Sequence, residues 1–276
     1  TTLDAFADRV IGPASGPARA WLAKQWVAGK RRVLVAPSGP LHFAPLHLLG
    51  SADTPLCATW RVSVLPSAEL LRTPPDTKAR EGIAVLGISY LQDALGRQRL
   101  SSALAEARAI ATTLGVAPLL DDDVTPEVLR DALTTCRIVH LACHGSHDAV
   151  APSLQALELM PDADGTTRLT TADLHAIDLR GLELLTLSAC ETALGRFDVG
   201  DNLRGLVAAA LGAGARSVVG TLWPVDDRTA ALFFDKLYAG IARGAPVDVA
   251  FHEAQAHTRG RLPALRDWAA FYFCGA

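Results

Sequence analysis

The sequence lacks any apolar run of the ~18 residues that a membrane-spanning helix requires. Its opening, TTLDAFADRV, has neither the positive flank nor the apolar core of a secretory signal peptide. The first residue is Thr1 rather than Met, as expected of a trimmed fragment of a longer protein or of a chain whose Met was removed enzymatically. A positive surplus is also absent: 26 Lys and Arg face 29 Asp and Glu, a net charge of −3. Direct nucleic-acid binding is therefore not expected, because phosphate neutralisation needs clustered cations. The short run Lys30-Arg31-Arg32 beside a predicted strand reads as a solvated face. Five cysteines (Cys57, Cys136, Cys143, Cys190 and Cys274) include no CxxC pair, which argues against a disulfide framework and a structural zinc site. A reducing cytoplasm is the simplest compartment for such a chain, with no membrane association. There is no internal repeat and no low-complexity tract.

What is present is a 276-residue chain, 50% hydrophobic, long enough to bury one large core or a large domain with a small appendage. Leu3 to Gly29 has helical spacing. Arg32-VLVAPSG and Trp60-RVSVLPS read as strands. The Pro-rich link Thr73-Pro74-Pro75-Asp76 is the predicted boundary between an N-terminal helix-and-strand subregion, 1–75, and a second subregion, 76–276. Beyond it, strands are predicted at Gly82-IAVLGIS, Arg137-IVHLACHG, Gly181-LELLTLSAC and Ser217-VVGTLW. Helices alternate with them over Ser101 to Leu114, from Pro126 behind a capping Thr125, over Leu203 to Leu211, over Thr229 to Ile241 and over Pro246 to Arg259. Trp268-AAFYFCG reads as a closing edge strand. Strands that are apolar on both faces and alternate with helices predict an α/β fold, with a mostly parallel central sheet flanked by helices on both sides.

Open sheets of this kind bind ligands at the carboxyl ends of their strands. The strand from Arg137 ends in His144-Gly145, and the strand from Leu182 ends in Cys190. The strand from Ser217 ends in Trp223, with Asp226 and Asp227 just beyond. A thiol, an imidazole and a carboxylate pair thus arrive at one edge. A thiol attacks a carbonyl well only as thiolate and needs a basic neighbour. An imidazole fills that role near neutrality and also protonates a leaving amine. Gly145 allows close approach of substrate backbone, and the N–H groups of Gly145 and Cys190 suit an oxyanion. Cys190 follows His144 by 46 positions, close to the spacing of roughly 50 known for caspase-type enzymes. The local caspase signature is absent, since the segment here is Ser188-Ala189-Cys190-Glu191-Thr192.

In combination, VHLACHG, LTLSACETALG, GLVAAALGAGARSVVGTLWPVDD and the closing WAAFYFCG resemble the CHAT domain, a caspase-like peptidase module related to separase. APSGPLHFAPLHLL and SVLPSAELL resemble its N-terminal half, so the resemblance covers about residues 30–276. It implies a caspase-haemoglobinase fold and a His–Cys dyad, with His144 on the family's HG histidine and Cys190 on its SAC cysteine. The family often carries tetratricopeptide repeats before this domain, so the implied partners are a protein substrate and either such a repeat domain or an activating protein. Separase-like members have an LW-x-V-x-D segment whose last Asp lines the primary specificity pocket and selects Arg. The matching segment is Leu222-Trp223-Pro224-Val225-Asp226-Asp227, which puts Asp227 at that position and implies Arg or Lys before the cut. Asp148, Asp198 and Asp201 stand on neighbouring predicted loops as alternatives. Trp223 reads equally as core or as a wall of that pocket.

Other residues have plainer readings. His140 shares a strand face with His144 by period two and is expected to be a satisfied core residue or one that backs the site. Cys143 points the other way and is expected to pack. No metal site is expected, because His147 lies past the strand end. His252-Glu253-Ala254-Gln255-Ala256-His257 is one residue too long for a zincin helix, since i and i+5 lie about 140° apart. Gly212-Ala213-Gly214 follows a helix rather than a strand and is no phosphate loop. The expectation is a cytoplasmic cysteine endopeptidase needing no cofactor. A regulatory or scaffolding module, latent without a partner, and a small-molecule hydrolase such as a thioesterase are the alternatives.

Overall fold

A computed structural model of the chain describes residues 12–49, 54–72, 80–91, 93, 95–146, 152–188, 196–198 and 202–276. In chain order it contains α1 (Gly12–Val27), β1 (Arg32–Val35), β2 (Arg61–Val64), β3 (Gly82–Gly87), α2 (Ala103–Leu114), β4 (Leu119–Leu120), α3 (Pro126–Thr135) and β5 (Cys136–Ala142). There follow β6 (His144–Ser146), β7 (Ala156–Glu158), β8 (Arg168–Thr170), α4 (Thr171–Ala176), β9 (Leu184–Ser188), β10 (Arg196–Asp198), β11 (Asn202–Arg204) and α5 (Leu206–Gly212). The chain closes with β12 (Ser217–Thr221), α6 (Asp227–Ala242), α7 (Val247–Arg261), α8 (Leu265–Trp268) and β13 (Phe271–Gly275).

Eight strands form one sheet in the order β1-β2-β13-β12-β9-β5-β3-β4. Every neighbouring pair is parallel except β12 with β13. The mostly parallel sheet expected from the apolar strands is therefore present, with β13, β2 and β1 reversed. The closing strand is not at the edge. β13 lies between β12 and β2, and Phe271, Tyr272, Phe273 and Cys274 are all buried. A segment apolar at every position needs cover on both faces, and an interior place provides it.

Side chains alternate between two helical layers. Ala84, Leu86, Val139, Leu141, Leu185, Leu187 and Val218 face α3, α4 and α5. Val85, Ile138, Leu184, Val219, Phe271 and Phe273 face α2, α6 and α7. Each fully buried Leu or Phe contributes ~1.5–3 kcal/mol. Two small residues set how closely the second layer packs. A Cβ on Gly87 would lie 2.8 Å from the Ala107 Cβ and 2.9 Å from the Ala103 carbonyl oxygen, so glycine lets α2 rest directly on β3. Gly240 of α6 likewise meets Ala250 of α7, where a Cβ would come within 2.9 Å. The cap expected at Thr125 is made, its hydroxyl accepting the Val128 N–H at 3.3 Å.

The strand expected to run through His144 breaks instead at Cys143. The His144 N–H donates to Tyr90 Oη at 2.9 Å, and β6 joins β7 and β8 in a separate antiparallel sheet. Among the described residues no helix is long and apolar enough to cross a membrane.

Candidate active site

β5, β9 and β12 are parallel neighbours, so their carboxyl ends share one rim. That rim opens on a cavity of about 90 Å3. Ala142 and His144 reach it from β5 and the residues after it, Ser188 from the end of β9 and Thr221 from the end of β12. The start of α2 contributes Ala103 and Glu106, and α6 contributes Asp227 and Phe234. His144 and Asp227 are thus brought to one cavity. Ser188 is the last described residue before Cys190. Cys190 itself, Asp148, Asp201 and His147 lie outside the described residues.

His144 is half-buried, and its ring is held by two groups. Its Nε2 meets the Gln98 carbonyl oxygen at 2.5 Å. A carbonyl only accepts, so Nε2 carries the proton of the neutral ring and Nδ1 presents a lone pair. The imidazole stacks on Tyr90, with ring centroids 4.6 Å apart and planes 30° apart. Tyr90 is in turn fixed by its hydroxyl, which donates to the Glu158 carbonyl oxygen. Its φ of +54° places it in the left-handed region, which is uncommon for an aromatic residue. The Arg97 guanidinium lies 4.6 Å from the Tyr90 ring centroid. Arg97 grips Asp93 through two bonds of 3.0 and 2.7 Å, and this hydrogen bonding holds the Asp93 carboxyl down at about 2. The imidazole therefore has a fixed tautomer and plane before any ligand arrives.

Gly145 follows on β6, opposite Leu157 of β7. Asp227 is the exposed first residue of α6 and lines the cavity. Asp226 is its N-cap: the carboxylate accepts the Thr229 N–H at 2.7 Å, which holds its pKa below the usual range. Trp223 lies off the cavity lining. Its indole N–H donates to the Arg266 carbonyl at 2.7 Å, and its ring packs with Leu48, Cys57 and Trp268. Asp198 is in β10.

Three buried cysteines are poor nucleophiles. Burial pushes Cys57 up to about 12 and raises Cys143 and Cys274 further. Cys143 packs in the core as its strand position predicts, its thiol donating to the His144 carbonyl at 3.2 Å. His140 is fully buried. Its Nε2 faces Glu106 Oε1 at 3.1 Å, and its Nδ1 faces Thr186 Oγ1 and Tyr238 Oη, each at 3.1 Å. Among the described residues no three His, Cys, Asp or Glu side chains group as a metal site.

Sequence reasoning did not find Tyr90, the Gln98 carbonyl or Glu106. The first two carry no pattern, since Tyr90 meets His144 only through the path of the intervening chain and Gln98 acts through its backbone carbonyl. Glu106 does leave a signal. Ala103, Ala107, Ile110 and Ala111 form the buried stripe of α2, and Glu106 is a charge on that stripe.

A family model described as "CHAT domain" matches residues 14–276. Tetratricopeptide repeat protein 28 of Mus musculus is 27% identical over 332 residues, covering 99% of this chain and 13% of that protein. The Homo sapiens protein of the same name is 24% identical, covering 91% of this chain and 12% of its own length. The chain spans about an eighth of the curated relatives it matches. Among solved structures, the Arg-specific cysteine proteinase gingipain R superposes with a TM-score of 0.59 at 13% identity, over 89% of this chain and 62% of that one. Separase in the Saccharomyces cerevisiae separase–securin complex gives 0.58 at 15% identity, over 89% of this chain and 15% of that one. These likenesses are of fold, the caspase-like fold of cysteine peptidases.

Proposed function

We propose a function from one premise: the chain belongs to the CHAT domain family. It is a cysteine endopeptidase of the caspase-like kind, cutting proteins at few sites after a basic residue and needing no cofactor. The observation that carries this reading is the cavity at the carboxyl rim. There His144, its Nε2 held by the Gln98 carbonyl, stands with Asp227 and with Ser188, two positions before Cys190.

His144 takes the proton of the Cys190 thiol, and the thiolate attacks the peptide carbonyl carbon. A C–S bond forms, and the carbonyl oxygen becomes an oxyanion received by the N–H groups of Gly145 and Cys190. Collapse breaks the C–N bond as His144 returns the proton to the leaving amine. Water then attacks the acyl-enzyme with His144 as base, releasing the acid and the thiol. Asp227 attracts the basic side chain before the cut.

An Arg-terminated acyloxymethyl or chloromethyl ketone should label the wild type and not Cys190→Ala. Labelling that persists in Cys190→Ala, or no labelling under any activating condition, would overturn the reading. Asp227→Ala should reduce turnover of Arg substrates far more than of neutral ones; equal losses would remove Asp227 from the site. A second reading is a regulatory or scaffolding module, latent without a partner. It is favoured by the name of the curated relatives, which gives repeats and no activity.

A further inference from the structure

The cavity beside His144 has a second carboxylate at a different depth. Asp227 is exposed, whereas Glu106 keeps only 9% of its surface exposed. Glutamate is almost never this buried without a charged partner. Among the described residues, the only ion-pair partner of Glu106 is the His140 imidazole, on Oε1, and its second oxygen has no hydrogen-bond partner. No Lys or Arg lines the cavity among the described residues. Asp235, exposed on α6, is held above the ordinary carboxylate range by desolvation and then by the charge of Glu106.

Leu100, Val225, Phe234 and Phe271 give the cavity apolar lining, beside the polar Ser102, Ser188 and Thr221. A cavity with apolar lining, one buried carboxylate and one exposed carboxylate matches one kind of side chain: a methylene stem ending in a cation. The buried carboxylate is also preorganised. Gly87 lets α2 sit against β3, and His140 fixes one carboxylate oxygen, so Glu106 does not reorganise when a ligand enters.

We propose that Glu106 receives the cationic head of the residue before the scissile bond and is the main determinant of basic specificity, with Asp227 steering at the entrance. The inference rests on the peptidase reading above and assigns to its site a residue on a different element. It predicts that charge, and not shape, governs entry. A buried carboxylate left without its cation rejects a neutral isostere strongly.

The test compares kcat/KM for matched peptides carrying Arg or citrulline, an uncharged isostere, before the cut. Wild type, Glu106→Gln and Asp227→Asn are measured in the full chain. Labelling of Cys190 by a chloromethyl ketone with an uncharged terminal residue reports the dyad separately. Glu106→Gln keeps an amide oxygen for His140 and removes only the charge. It should lower the Arg-to-citrulline ratio about 100-fold and leave labelling intact, while Asp227→Asn should lower the ratio about tenfold. An unchanged ratio with intact labelling would overturn the assignment and leave the peptidase reading standing. No labelling of wild type under any condition would sink both. If Glu106→Gln fails to fold, protection of wild-type Cys190 decides: agmatine should slow labelling by the uncharged probe and butylurea should not. Equal protection by the two, or none, would overturn the proposal.

Discussion

On the sheet face under α3, α4 and α5 the core is mainly aliphatic, built from residues such as Leu129, Leu133, Leu174 and Leu206 on Leu141, Leu185 and Leu187. On the face under α2, α6 and α7 it is largely aromatic. Phe233 stacks on Phe271 with centroids 3.7 Å apart, and Phe234, Phe251 and Phe273 surround them. The same face holds the chain of hydrogen bonds from Glu106 through His140 to Thr186 and Tyr238. The aliphatic face mostly has to fill volume, which many side-chain sets can do. The aromatic face must also satisfy buried polar groups, and each of those has to be placed. The cavity opens on this second face because α2 and α6 both begin at the carboxyl rim.

The largest effect should come from the aromatic stack. Phe233→Ala is expected to cost about 4 kcal/mol, and Leu141→Ala on the other face about 3 kcal/mol, read from urea midpoints. A cost under about 1 kcal/mol at Phe233 would break the idea that the aromatic face is tightly packed.

Next in size is His47, whose ring lies against Tyr272 on the aliphatic side. Its Nε2 meets the Ala269 carbonyl oxygen at 3.0 Å, and burial lowers its pKa from 6.5 to about 4. The unfolded chain then binds more protons than the folded one between those values. Stability from this group is complete above pH 6.5 and is lost as pH falls toward 4, by about 3 kcal/mol. Subtracting the pH profile of His47→Gln from that of the wild type should isolate this slope. Parallel profiles would remove the claim.

Tyr238→Phe takes one hydroxyl from His140 and should cost about 1 kcal/mol. No change would mean that Thr186 alone satisfies the ring. The smallest contrast lies between two neighbours. Asp226→Ala removes a helix cap and should cost about 1 kcal/mol. Asp227→Ala should stay within about 0.5 kcal/mol in stability and act on substrate preference instead. The reverse pattern in thermal melts would exchange their roles.

Much of the scaffold was legible in order. Strand positions in Val139, Leu141 and Cys143 alternate with Ile138, His140 and Ala142, and that period alone puts His140 and Cys143 on opposite faces. Thr125 before Pro126 announces its helix because a local hydrogen bond makes the cap. The place of β13 was not legible, since pairing between distant strands leaves no mark in local spacing. The bend after Ala142 was missed for a related reason: Tyr90, 54 positions before His144, takes the N–H that would have continued the strand. The Gln98 carbonyl is backbone and has no residue signature. Glu106 was legible only as a charge on the apolar stripe of α2, with nothing local to say which cavity it meets.

By itself the sequence determined the alternating α/β pattern, the family resemblance, and the arrival of His144 at a strand end, because these follow from local periodicity and short motifs. The tertiary structure alone decided which groups hold His144 in plane, that Asp226 caps while Asp227 lines the cavity, and that the buried Glu106 lines it too. Those outcomes depend on contacts between residues far apart in the chain, such as Glu106 and His140, 34 positions apart and 3.1 Å from each other. Only packing of α2 onto β3 could bring that carboxylate to the rim.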